Sequence, residues 1–241
     1  MKTKIICIFL ICLFCFTACT SVKRDPIDPQ MYSPAAVVSI CGNDEIYWYN
    51  EEQAEQGLFG ELFDLFVQSS GNEKSNEFFG YTRDLMYEAE YLTMKCLTEK
   101  GFTLIPKEEV INNDSYLLQD EDVLLSMSDL TVADGYKLFS EYNNVSEVLN
   151  EKIGAKSVIK VNFSFAKTMV NGIEKNGTMT AYVIATVSVY NANGNLIAEE
   201  SGASQGEKRI PIVAGIYEPS ELFAMYPYAM EKALKSACSK L

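Results

Sequence analysis

Two stretches of this 241-residue chain carry the spacing of catalytic motifs. Gly202-Ala203-Ser204-Gln205-Gly206 matches Gly-x-Ser-x-Gly, the turn that lifts a nucleophilic serine where a strand enters a helix. Ser157-Val158-Ile159-Lys160 matches Ser-x-x-Lys, in which a lysine serves the serine. Both nucleophiles need a base, and the chain has no histidine. That removes Ser-His-Asp and Cys-His arrangements, His-ligated zinc and any histidine pH switch. Lys208 is the base left for Ser204, but the sequence after Ser204 runs on as Gly-Glu-Lys-Arg-Ile-Pro, with no helix. A Gly/Ser loop is the expectation there. Ser157 and Lys160 fall in an alternating strand pattern, where positions three apart face opposite ways, so the pair is expected to diverge.

The acidic runs Asp44, Glu45, Glu51, Glu52 and Asp120, Glu121, Asp122 have the chemistry to hold a hard cation. Neither run has the calcium-loop spacing or its glycine, so solvated loops are expected. A paired-carboxylate hydrolase is compatible with the composition, but nothing in the sequence selects a pair. The expectation is therefore no catalytic residue, no metal and no cofactor. Tyr47, Trp48 and Tyr49 stand out instead, because three consecutive aromatics cannot all enter one core from one element. They are the candidate partner surface, with a lid over the sheet edge as the plainer alternative.

The first residues read as an address. Two lysines within Met1–Lys4 precede the apolar run Ile5–Phe16, a charged region and a hydrophobic region too short to span a bilayer. The run ends in Phe16-Thr17-Ala18-Cys19, which resembles the bacterial lipobox with Phe16 where leucine is usual. The expectation is a lipoprotein signal over residues 1–18, acylation of Cys19, and a Pro-containing tether over 19–34. Cleavage would remove two of 20 basic residues and leave 18 against 33 acidic ones, turning a net charge of −13 into −15. Such a surface is repelled by anionic headgroups and by nucleic acid, so the anchor itself would have to hold the protein at the membrane. Cys7, Cys12 and Cys15 fall in the signal, leaving Cys41, Cys96 and Cys238 in the body. Three is odd; one bridge is open, and three buried thiols are the simpler expectation.

Residues 35–241 read as a single α/β domain, with 48% hydrophobic and 22% charged residues in the whole chain. Ala35–Cys41 is a buried strand, Leu58–Val67 a short helix, and Asn76–Lys100 a long helix on the stripe Leu85, Ala89, Leu92, Cys96, ended by Gly101. Phe102–Ile105 reads as a strand and Lys107–Leu118 as a helix with Glu108 and Glu109 in its first turn. Asp134 is expected to cap a helix to Ile153 on Leu138, Tyr142, Val145 and Leu149. Lys156–Lys167 alternates with Ile159, Val161, Phe163 and Phe165 on one side. Thr178–Tyr190 does the same with Met179, Ala181, Val183, Ala185, Val187 and Val189. After the Asn191–Gly194 turn, Asn195–Ser201 returns as a strand. Pro219–Leu241 closes as a helix on Leu222, Tyr226, Met230, Ala233 and Ala237. The aromatic groups Phe78, Phe79, Tyr81 and Phe223–Tyr228 read as core packing. Strand–helix alternation followed by a hairpin predicts a single mixed β-sheet with helices packed on it.

In that order the pieces resemble a family of periplasmic modules. It includes the TolB amino-terminal domain, the CsgG curli-secretion lipoprotein and the lipoprotein activators of penicillin-binding proteins. Residues 101–113, GFTLIPKEEVINN, are similar to that family's strand-to-helix step. Ile153–Ile159 is similar to its Leu-Gly-Ala-Asp step, with Lys156 in place of aspartate, and residues 180–201 to its hairpin. The resemblance implies a TolB-like α/β fold in the bacterial cell envelope, at the periplasm or cell surface. It also implies a non-enzymatic module that binds other envelope proteins or assembles into an oligomer. A subunit of a secretion or pore assembly is the alternative. It needs transmembrane hairpins, and only Thr178–Tyr190 has the length, in a pattern that suits the core sheet better. A carboxylate-dependent envelope hydrolase is the other alternative.

Overall fold

The computed structural model describes residues 26–49, 81–122, 130–139 and 143–241. The segment read as a signal, Cys19, Glu51, Glu52, the helix expected over 58–67, residues 76–80 and Tyr142 lie outside the described residues, as do Phe78, Phe79 and the Tyr81 side chain.

One mixed sheet organises the chain. Its strands are β1 (Ala35–Asn43), β2 (Tyr47–Trp48), β3 (Leu130–Val132), β4 (Ser157–Ile173), β5 (Asn176–Asn191), β6 (Leu196–Gln205) and β7 (Ile210–Val213). The order is β3-β1-β4-β5-β6, with β2 beyond β1 on the same edge of β4 and β7 beyond β6 on the same edge of β5. β1 and β2 run parallel to β4; every other pairing is antiparallel. The expected mixed sheet with helices on it is the fold observed.

The alternation of β4 and β5 sets the main core. Ile159, Val161, Phe163 and Phe165 share a face with Met179 through Val189, and all are buried. Onto this face pack α1 (Tyr81–Lys100) and α6 (Tyr226–Lys240), the latter preceded by the short α5 (Pro219–Phe223). α1 buries the predicted stripe with Met86 and Leu97 added; Gly101, at φ +112, ends it in the left-handed region that glycine tolerates. α6 buries Tyr226, Met230, Ala233 and Ala237 as predicted. Small residues face β6 there, and Gly202 on β6 lets the helix backbone come close: a Cβ at Gly202 would lie 2.1 Å from the Ala233 carbonyl oxygen.

A second, smaller core lies on the other face. Ala36, Val38 and Val158 meet α2 (Lys107–Ile111), α3 (Asp114–Leu117) and α4 (Val145–Ile153) through Val110, Tyr116, Val145 and Leu149. These helices cover β1 and the start of β4. A register shift between Val37 and Ser39 releases Val38 from the ladder, and the Tyr116 hydroxyl of α3 donates to its carbonyl oxygen at 2.9 Å.

Four local expectations are corrected. The helix expected from Asp134 begins only at Val145. Gly135 at φ +78 turns the chain, and Leu138 and Phe139 reach burial from irregular backbone. The Lys107–Leu118 helix is two helices, because Asn113 caps α3 by accepting the Ser115 N–H at 3.0 Å. Phe102–Ile105 makes one parallel bridge, Leu104 to Ala35, and no strand. The Gly/Ser loop expected over residues 202–206 is strand as far as Gln205, the end of β6, and the chain beyond it leads into β7, a sheet-edge position where Pro211 is tolerated. The stretch 119–133, unassigned from sequence, contributes β3.

Candidate functional site

The aromatic trio is held by a substitute for backbone pairing. β1 leaves β4 after Gly42, opposite Phe163, and β2 rejoins it at Tyr47, opposite Ala166. Asn43 bridges the gap. Its Oδ1 accepts the Phe165 N–H at 2.6 Å, and its Nδ2 donates to the Phe165 carbonyl at 2.9 Å and to the Glu45 carbonyl. One carboxamide thus pairs with both backbone groups of Phe165 in place of a backbone partner. Tyr49 continues the pairing by donating its N–H to the Lys167 carbonyl at 2.8 Å.

Strand alternation then splits the trio. Tyr47 and Tyr49 take one face: the Tyr47 hydroxyl is 2.6 Å from Ser164 Oγ, and the Tyr49 ring stacks on Tyr182 with centroids 4.0 Å apart. Trp48 takes the other face, against the main core, with the Lys167 ammonium 4.9 Å from its ring centroid. Lys167 also lies 5.1 Å from the Tyr217 ring and donates to its hydroxyl at 3.1 Å. All three aromatics are half-buried, so each combines a braced ring with surface still open to solvent.

Tyr47 and Tyr49 border a polar sheet face. Beyond the cover of α2–α4, the alternate positions of β4 to β6 carry polar side chains in rows. Cys41 reaches Asn162 Oδ1 at 3.6 Å, Thr186 and Ser201 share a 2.8 Å hydroxyl contact, and Ser188 donates to Glu199 at 2.8 Å. Burial, ahead of the opposing effects of Ser39 and Lys160, pushes the Cys41 thiol up to about 12.

The motif matches come apart here. Ser204 lies on β6, its Oγ donating to the Gln205 carbonyl at 3.3 Å, and β6 leads into β7 rather than a helix. Both glycines of the match serve packing: Gly202 admits α6, and a Cβ at Gly206 would meet Thr180 and Met225 within 3.0 Å. Ser157 donates to the Tyr32 carbonyl at 2.6 Å, while Lys160 sits on the other side of β4 over the Tyr190 ring. Among the described residues no group of three metal-ligating side chains converges, Asp120–Asp122 included.

Sequence reasoning missed Asn43, Ser164, Tyr182, Tyr217 and above all Lys167. Lys167 follows Phe165 at the next core-facing position of the alternation. A charge in that register was the readable signal. No family model matches the chain, and no curated protein matches it significantly.

Proposed function

We propose that the chain is a lipid-anchored cell-envelope protein, exported by residues 1–18, acylated at Cys19, and carrying 35–241 as a non-enzymatic protein-binding module. The kinship with the TolB amino-terminal, CsgG and penicillin-binding-protein-activator modules belongs to the same proposal. The mixed sheet, closed by a terminal helix, supports it. The single observation that carries the binding reading is the braced aromatic strand. Tyr47, Trp48 and Tyr49 are half-buried, held from both faces and bordered by hydroxyl and amide rows. Rigid aromatics at a polar margin offer contact area at little entropic cost, as binding anchors do. Against a body of this acidity, the partner's facing surface would be neutral or basic.

The test is made in the native envelope. A photo-crosslinking residue at position 49 should capture one protein species, and Trp48→Ala should weaken that adduct at unchanged protein level. The same probe at Tyr87, exposed on α1, should not capture it. Equal capture at both positions overturns the binding surface. Cys19→Ala should leave the membrane fraction; retention there overturns the anchor.

A further inference from the structure

The last part of the segment read as a tether is bound into the domain. Ile27 donates its N–H to the Leu241 carbonyl at 2.6 Å, at the end of α6. Gln30 Nε2 donates to the Gly101 carbonyl at 2.7 Å, at the end of α1. Ser33 Oγ donates to the Pro29 carbonyl at 2.7 Å and accepts the Thr103 N–H at 2.9 Å. The Tyr32 carbonyl accepts from Ser157 Oγ at 2.6 Å, and the Pro34 carbonyl from the Lys156 N–H at 2.8 Å, where α4 passes into β4. Ile27 and Tyr32 also pack against the main core. Residues 27–34 thus clasp one end of the sheet, where α1, α4 and α6 finish and where β5 closes at Asn191, opposite Ser157. Two properties mark this end. Met31 is 65% exposed in its turn. Lys100, Lys156 and Lys240 stand here against Asp28 and Glu99, while Lys152 and Glu151 neutralise one another at 3.0 Å. The end therefore carries a slight basic surplus, whereas the rest of the described residues are acidic in balance.

We infer that this end is a membrane-facing surface: Met31 and its basic neighbours rest against the phospholipid headgroups of the bilayer that holds Cys19, and the sheet stands away from them. The inference rests on the proposed acylation of Cys19. Whatever its course, the chain from Cys19 to Ile27 spans at most about 30 Å, so the clasped end stays near the bilayer. The acidic remainder is repelled by anionic headgroups, and the basic end with its exposed methionine is not. Reach and charge select the same orientation. Along β4, the rise from Ser157 to Ala166, the partner of Tyr47, is about 30 Å, and to Ile173 at the far end of the hairpin about 50 Å. The aromatic strand is therefore presented about 30 Å beyond the headgroup-facing end, to a partner in the aqueous space.

The test uses the full acylated chain, recovered in detergent and returned to vesicles of phosphatidylethanolamine and phosphatidylglycerol that carry a lipid with a nitroxide on its headgroup. Trp48 is the only tryptophan, so its emission reads the height of the aromatic strand on the unsubstituted chain. The nitroxide lipid should leave that emission unchanged. Met31→Trp should add an emission that the same lipid quenches, and Ile173→Trp, equally exposed at the far end, one that it does not. Both substitutions add the same indole, so its own affinity for the interface cancels in the comparison. Quenching of Trp48 or of the indole in Ile173→Trp, or no quenching in Met31→Trp, overturns the orientation while the anchor reading stands. Failure of the unsubstituted chain to float with the vesicles overturns the anchor reading, and this inference with it. The Trp48 measurement needs no substitution, so the inference stays testable even if a variant fails to fold.

Discussion

Gly202→Ala tests the seat of α6 with the smallest possible perturbation, one methyl group. The added Cβ would stand 2.1 Å from the Ala233 carbonyl oxygen, 2.6 Å from the Ala237 nitrogen and 2.7 Å from Ser236 Cβ, where ordinary contact begins at 3.4 Å. Two of these neighbours are helix backbone, so no rotamer change relieves them. Full relief would need α6 to retreat by about 1.3 Å, more than the roughly 0.5–1 Å gap that already forfeits a quarter to a half of a dispersion contact. That face includes Tyr226, Met230, Ala233, Leu234 and Ala237. Overpacking costs about 1–3 kcal/mol, and a rigid obstacle puts this case near about 3 kcal/mol. At roughly 2–4 °C per kcal/mol for a domain of this size, the thermal midpoint should fall by about 6–12 °C. The assay is thermal unfolding followed by far-ultraviolet circular dichroism, with Ala203→Ser at the neighbouring exposed position as the control. A Gly202→Ala midpoint within about 1 °C of the parent would refute the close approach of β6 and α6.

Asn43→Ala removes the side chain that pairs with both backbone groups of Phe165. Two buried groups left unsatisfied should cost about 2–4 kcal/mol in a urea titration, and hydrogen exchange at Tyr49 should quicken as β2 loosens. Tyr226→Phe deletes the hydroxyl that donates to the Ala166 carbonyl at 2.8 Å, and the denaturation midpoint should report a loss of about 1 kcal/mol. The Cys41 thiol, pushed by burial from 9.0 up to about 12, keeps a proton that the unfolded chain releases above pH 9. Its contribution is complete below pH 9 and is lost as pH rises toward 12, about 1.4 kcal/mol of it by pH 10. Stability measured at pH 8 and pH 10 should therefore fall less in Cys41→Ala than in the parent; equal falls count against a buried neutral thiol.

The regular parts of the fold were legible because one periodicity dominated each of them. Ile159 to Phe165 and Met179 to Val189 alternate without interruption, and the α1 and α6 stripes keep helical spacing over several turns. What failed was local competition. Leu138, Tyr142, Val145 and Leu149 have helical spacing, yet Gly135 and the burial of Leu138 and Phe139 from coil kept the first half out of α4. β3 and β7 are three and four residues long, too short for any period to show. The aromatic trio was visible as a composition. Its architecture was not, because Ser164, Lys167, Tyr182 and Tyr217, which brace it together with the nearby Asn43, are distant in the chain and gathered only by the sheet.

The position of β1 between β3 and β4 bears on the order of folding. Its partners come much later in the chain: Ala35 pairs with Ser157, and Cys41 with Val132. The β4–β5–β6 meander needs only short loops to close, whereas β1 cannot pair until most of the polypeptide has been made. The meander is the natural nucleus, and β1 joins late. Until it arrives, β4 presents an open edge flanked by apolar side chains, a site where another chain could add in its place. The strand that begins the domain is thus the one that seals it, and substitutions in Ala35–Asn43 should appear in the yield of soluble protein as well as in the stability of what has folded.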